Sequence, residues 1–123
     1  MLHVDRSLQI PVKEQIKDGF RGLVARGLMK GGEPAPSIRA LAVELKVNRN
    51  TVALALHELM LEGFLLPRPG GVSVISDAAS LQARESVDLM RRRFSEAVAL
   101  ARRGGLNWEE IHEAMRAVRR KEP

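Results

Sequence analysis

The amino-acid sequence predicts a mainly α-helical fold with one small β-hairpin: three helices, the hairpin, then two more helices. Three observations predict it. Apolar residues recur at spacings of three and four through five stretches, the period of one helical face. Gly- and Pro-rich marks fall between those stretches, at Gly27, at Gly31-Gly32-Glu33-Pro34-Ala35-Pro36, at Gly63 and at Gly104-Gly105, where chains turn. Phe64-Leu65-Leu66 and Val72-Ser73-Val74-Ile75 flank a tip of Pro67-Arg68-Pro69-Gly70-Gly71, the pattern of two short antiparallel strands.

Taken in order, Leu8-Gln9-Ile10 alternates like a short strand. Pro11 suits a first helical position, where its missing N–H is not needed. Val12, Ile16, Phe20, Leu23 and Val24 then share one face. Gly19 and Gly22 weaken this helix by about 1 kcal/mol each, so packing must hold it. Gly27 ends it. Ser37 is placed to cap a second, short helix with Ile38, Leu41, Ala42 and Leu45 inward. Lys46-Val47 makes a tight turn, and Asn48 caps a third helix whose core face is Val52, Ala55, Leu56, Leu59 and Met60. Beyond residue 77 the texture changes. Ala83, Val87, Met90, Phe94, Ala97 and Ala101 form a heptad-like seam on one long helix. Asn107 caps a last helix with Trp108, Ile111, Met115 and Val118 on one face. Its acidic first turn (Glu109, Glu110) and basic last turn (Arg119, Arg120, Lys121) suit the macrodipole.

Composition narrows the function. The 123 residues suit one domain, or one with an appendage. The absence of Cys excludes disulfides, thiolate nucleophiles and Cys-based zinc sites, and no two of His3, His57 and His112 have helical ligand spacing. His112-Glu113 begins like a zinc-protease motif, but Arg116 stands where the second His belongs. No metal, cofactor or enzymatic centre is implied. The longest apolar run is far too short to cross a membrane and the N-terminus has no signal pattern, so a soluble, cytoplasmic protein without a membrane partner is expected. The net charge of +5 and a pI near 10.4 point to a polyanion. Four scattered aromatics make no base-stacking platform, which favours duplex over single strand.

A short helix, a turn of three residues and a second helix followed by a hairpin is the geometry of a winged helix-turn-helix. Successive helical residues advance about 100°. With Val52 in the core, Asn50, Leu54, His57 and Leu61 point away from it, and Arg49 and Thr51 lie on the flanks. Asn pairs with adenine and Arg with guanine in the major groove, while Thr donates to phosphate. Asn48 has a capping duty in any case, and Gly70 and Gly71 serve the hairpin turn in any case.

Residues 9–76 resemble the winged helix-turn-helix domain of the GntR family of bacterial transcription regulators. Four segments carry the likeness: Gln9-Ile10-Pro11-Val12-Lys13-Glu14-Gln15-Ile16, Pro36-Ser37-Ile38-Arg39-Ala40-Leu41-Ala42, Val47-Asn48-Arg49-Asn50-Thr51-Val52 and Leu59-Met60-Leu61-Glu62-Gly63-Phe64. The short tail is similar to that of the YtrA-like subfamily, where a helical hairpin dimerises and no large effector domain follows. The resemblance implies DNA contacts by Arg39, by Asn48, Arg49, Asn50 and Thr51 opening the recognition helix, and at the wing by Gly70 with Arg68 nearby. His57 lies on the same exposed face as Asn50. Three positions depart from the family pattern: Ala35 for the usual Leu, Leu54 for a common basic residue, and Val72 for a second wing glycine. At Leu54 one groove contact is lost or is replaced by contact with a thymine methyl.

The expected division is 1–77, a winged helix-turn-helix, and 78–123, a two-helix dimerisation region. A lone helix pair cannot bury both its faces, so Val87, Met90, Phe94, Ala97, Ala101, Trp108, Ile111 and Met115 are expected to pair with a second copy. Three successive Arg at 91–93 fan over about 200° of helix and form no single patch. The reading is a homodimeric repressor on a near-palindromic duplex operator, with no effector cavity legible in the tail. The rival reading is a protein-interaction adaptor, favoured by Leu54 and Leu61 but having no use for Arg49-Asn50-Thr51.

Overall fold

A computed structural model describes residues 2–122. It contains α1 (Val12–Ala25), α2 (Ile38–Leu45), α3 (Arg49–Leu61), β1 (Leu65–Pro67), β2 (Ser73–Ile75), α4 (Ala79–Arg103) and α5 (Trp108–Lys121). Two compact units follow along the chain, Met1–Val87 and Asp88–Pro123. The expected boundary at 77 falls ten residues earlier. The difference arises because Ala79 and Ala83, at the start of α4, are wholly buried in the core of the first unit.

In the first unit the helices end where local chemistry ends them. Ser37 accepts from the Ala40 N–H at 3.0 Å and Asn48 from the Asn50 N–H at 2.7 Å, so α2 and α3 begin with satisfied donors. Lys46 makes the tight turn in the left-handed region at φ 55°. Pro11 is the N-cap of α1, one position before the expected first turn, with no side-chain cap. Packing supplies the rest. Ile16, Phe20, Leu41, Val52, Leu59, Phe64, Leu65 and Ile75 are all but fully buried, each contributing about 1.5–3 kcal/mol against about 1 kcal/mol for a cap. α3 packs on α1, α2 and β1 and is the centre of the unit.

The hairpin pairs Leu65 with Ile75, Leu66 with Val74 and Pro67 with Ser73. The Arg68 N–H donates to the Val72 carbonyl at 2.8 Å, and Gly70 and Gly71 turn the tip at φ 89° and 80°. A third edge joins it that the sequence does not announce. Gly32 N–H donates to Ile75 O at 2.7 Å, Ile75 N–H to Glu33 O at 2.8 Å and Ala35 N–H to Ser73 O at 2.8 Å, with Pro34 bridging Val74. This edge fixes where α2 starts relative to the wing.

Two expectations fail here. Leu8-Gln9-Ile10 is an exposed bend, not a strand, since alternation without a partner edge forms no ladder. The segment is tied instead to α1: Gln15 Nε2 donates to the carbonyls of Asp5 and Ile10, both at 2.9 Å. Ile38 is 39% exposed rather than inward: it opens the first turn of an eight-residue helix whose buried residues are Leu41 and Ala42.

In the second unit, Asn107 and Glu110 form a reciprocal capping box at 2.8 and 3.1 Å. Gly105, at φ 109°, reverses the chain, and the Arg102 guanidinium lies 5.0 Å from the Trp108 ring centre. Ile111 is buried, whereas Met90, Phe94, Trp108 and Met115 stay about half exposed. The hairpin therefore leaves much of its own seam uncovered.

Candidate nucleic-acid interface

The N-terminal end of α3 is polar and exposed. Asn48, Arg49 and Asn50 are exposed and Thr51 is half-buried. Beyond the Asn48 cap, none of these side chains has a hydrogen-bond or ion-pair partner among the described residues. Arg39, in the first turn of α2, is also exposed and unpaired among them. Further along the same face of α3 lie Leu54, 48% exposed, and His57, exposed. At the hairpin tip Arg68 and Gly70 are exposed. Two of the eight sequence-predicted residues, Arg39 and His57, meet on one concavity. It is a recess of about 460 Å³ between the start of α2, the middle of α3 and the wing strand, reaching Gly71 and Val72.

One charged cluster was missed from the sequence. Lys17 is nearly buried and reaches both Glu58, at 2.9 Å, and Glu62, at 2.7 Å, on α3. Lys13 adds a 2.7 Å bond to Glu58, and Arg21 pairs with Glu62. Hydrogen bonds from Lys13 and Lys17 hold the Glu58 carboxyl below the usual range. Burial opposes ionisation of Glu62, but Lys17 and Arg21 outweigh it and hold that group low as well. Burial likewise opposes charge on Lys17, and the two carboxylates prevail, raising its pKa. The signal was present as Lys13, Lys17 and Arg21 at spacing four and Glu58 and Glu62 at spacing four. Nothing local shows that the two rows face each other. The clamp fixes α3 on α1 and consumes three cations, which leaves Arg39 and Arg49 for another partner.

A helix-turn-helix with a wing, carrying free Arg and Asn side chains where its second helix begins, defines a class: the DNA-binding domain of a transcription regulator. Among the described residues no group of metal-ligating side chains occurs, and no helix is long and apolar enough to cross a membrane. The chain belongs to the gntR family of bacterial regulatory proteins, which matches residues 12–75. It is 29% identical over 119 residues to the HTH-type transcriptional repressor YtrA of Bacillus subtilis, covering 96% of this chain and 92% of that one. YtrA from Sulfolobus acidocaldarius, a GntR-family transcription factor, superposes with a TM-score of 0.59 at 32% identity, over 80% of this chain and 97% of that chain. A transcriptional regulator from Oenococcus oeni shares the fold at a TM-score of 0.67 and 23% identity, over 94% and 96% of the two chains. With two longer relatives the likeness covers 71% of this chain, which spans about a fifth of their length. The chain is thus a transcription regulator and not an enzyme, and the adaptor reading gives way to family membership.

Proposed function

We propose that this chain is a sequence-specific repressor that binds a near-palindromic duplex operator as a homodimer, in the cytoplasm. The observation that carries the reading is the uncommitted Arg49-Asn50-Thr51 cluster at the start of α3. These side chains have no core role and no described partner, in the position that enters the major groove in helix-turn-helix proteins. Arg39 and Arg49 would read guanine edges or phosphates and Asn50 an adenine edge. Asn48, Thr51 and Arg68 would meet the backbone, and Gly70 would let the wing approach the adjacent groove. His57 lies within the same footprint. Pairing through Met90, Phe94, Trp108 and Met115 would set two such helices about one turn of DNA apart. The similarity to a named repressor over 96% of the chain supports the sign of regulation.

The experiment is a gel shift against an operator selected from random duplex DNA. Arg39→Gln and Arg49→Gln should each weaken specific binding by roughly 1–3 kcal/mol while leaving the fold intact. The wild-type affinity should fall steeply with salt, because released counterions drive the association. Unchanged affinity in both variants would remove the recognition helix from the interface.

A further inference from the structure

The recess between α2, α3 and the wing lies within the proposed DNA footprint, since Arg39 and His57 line it, but its floor is apolar. Its floor is Ala35 and Leu56, both nearly buried, with half-buried Met60 beside them. Ala53 and Gly71 keep it open because neither has a side chain long enough to fill it. Arg39 and His57 stand at its mouth, and no acidic residue lines it. The volume of about 460 Å³ falls in the range of small-molecule sites, roughly 300–1,000 Å³. Phosphate oxygens give no apolar cover to such a floor. An apolar body with one carboxylate matches both features: the body displaces water from Leu56 and Met60, and the carboxylate pairs with the unpartnered Arg39.

We propose that this recess binds a small apolar monocarboxylate, and that the bound ligand excludes DNA by occupying Arg39 and the space beside the wing. The exclusion rests on the DNA-reading role of Arg39 proposed above; the binding site itself does not. A regulator with a two-helix tail would then carry its sensor inside the reading head.

The full chain, labelled with ¹⁵N, is titrated with octanoate and 4-phenylbutyrate, with neutral 4-phenylbutyramide, and with inorganic phosphate. Both carboxylates should shift the amides of 35–39, 53–60 and 71–73, and the amide analogue should bind roughly tenfold more weakly for want of the ion pair. Phosphate should leave the floor residues unmoved. Ala53→Leu fills the recess from half-exposed helix surface and should abolish these shifts; Val72→Gln, on the wing, gives the same readout if that variant fails to fold. The carboxylates should also release a bound duplex from the wild type and not from Ala53→Leu. Shifts confined to residues 88–122, equal binding of acid and amide, or recess shifts with no loss of duplex would each overturn the proposal. Duplex binding measured without any carboxylate tests the DNA reading by itself, so failure of the one is distinguishable from failure of the other.

Discussion

Leu54 is the residue at which this reading head departs most from an ordinary basic one. It is 48% exposed on the face that also carries Asn50 and His57, and a leucine there has no donor to give a base. On the proposed footprint, the contact open to it is apolar, with a thymine methyl. Replacing thymines of the selected half-site singly by deoxyuridine should reveal one position where the wild type loses about 0.8 kcal/mol, roughly fourfold, the value of one buried methyl-sized group. In Leu54→Ala that position should become silent. A wild type indifferent at every position would mean that Leu54 touches no base. The free residues of α2 and α3 were legible one by one, since each lay on the outward side of a helix whose inward side was plain.

At the scale of elements, α3 is held on α1 by the Lys17 clamp as well as by apolar packing. Lys17→Met leaves Glu58 with Lys13 and Glu62 with Arg21 and should destabilise the unit by roughly 1–2 kcal/mol in urea unfolding. The clamp also sets an acid limit. Glu58 and Glu62 have folded pKa values below their unfolded ones. Their contribution is therefore present above the ordinary carboxylate range and is lost as pH falls through the depressed values. The Lys17 contribution has the opposite sign and is lost only at the alkaline end, as pH rises through its raised value. Urea midpoints of Glu58→Gln/Glu62→Gln should therefore be lower near neutrality and fall less on acidification than those of the wild type. Surface groups such as Glu113, held low by Arg120 and Arg116, account for the slope that persists. Parallel profiles would assign the acid lability elsewhere. The helices and their caps were readable because periodicity and capping are local. The third edge at 33–35 was not, since backbone hydrogen bonding leaves no side-chain pattern to read.

For the whole molecule, net charge does not locate the DNA surface. Residues 1–77 hold ten basic and eight acidic side chains, and residues 78–123 hold ten and seven, so the tail is the more basic part. What distinguishes the tail is its uncovered seam: Phe94 and Trp108 are each 54% exposed and Met115 is 49% exposed. Phe94→Glu places a charge in that seam without disturbing the first unit. It should turn a dimer into monomers in sedimentation equilibrium and weaken binding to the two-half-site duplex while sparing binding to a single half-site. A variant that remains dimeric would place the self-association on another surface.

The order of helices and hairpin, the caps and the hairpin tip were legible in the sequence because each rests on residues within a few positions of one another; the class of regulator was legible through the resemblance of four motifs in order along residues 9–76. Tertiary structure alone decided which charges are spent inside the fold and which remain free. Lys13, Lys17 and Arg21 look as available as Arg39 and Arg49 in a linear reading. They are taken up only because α1 lies against α3, some forty residues away in sequence. Ion pairing falls off over a few ångströms, so the division between structural and functional cations is made by packing.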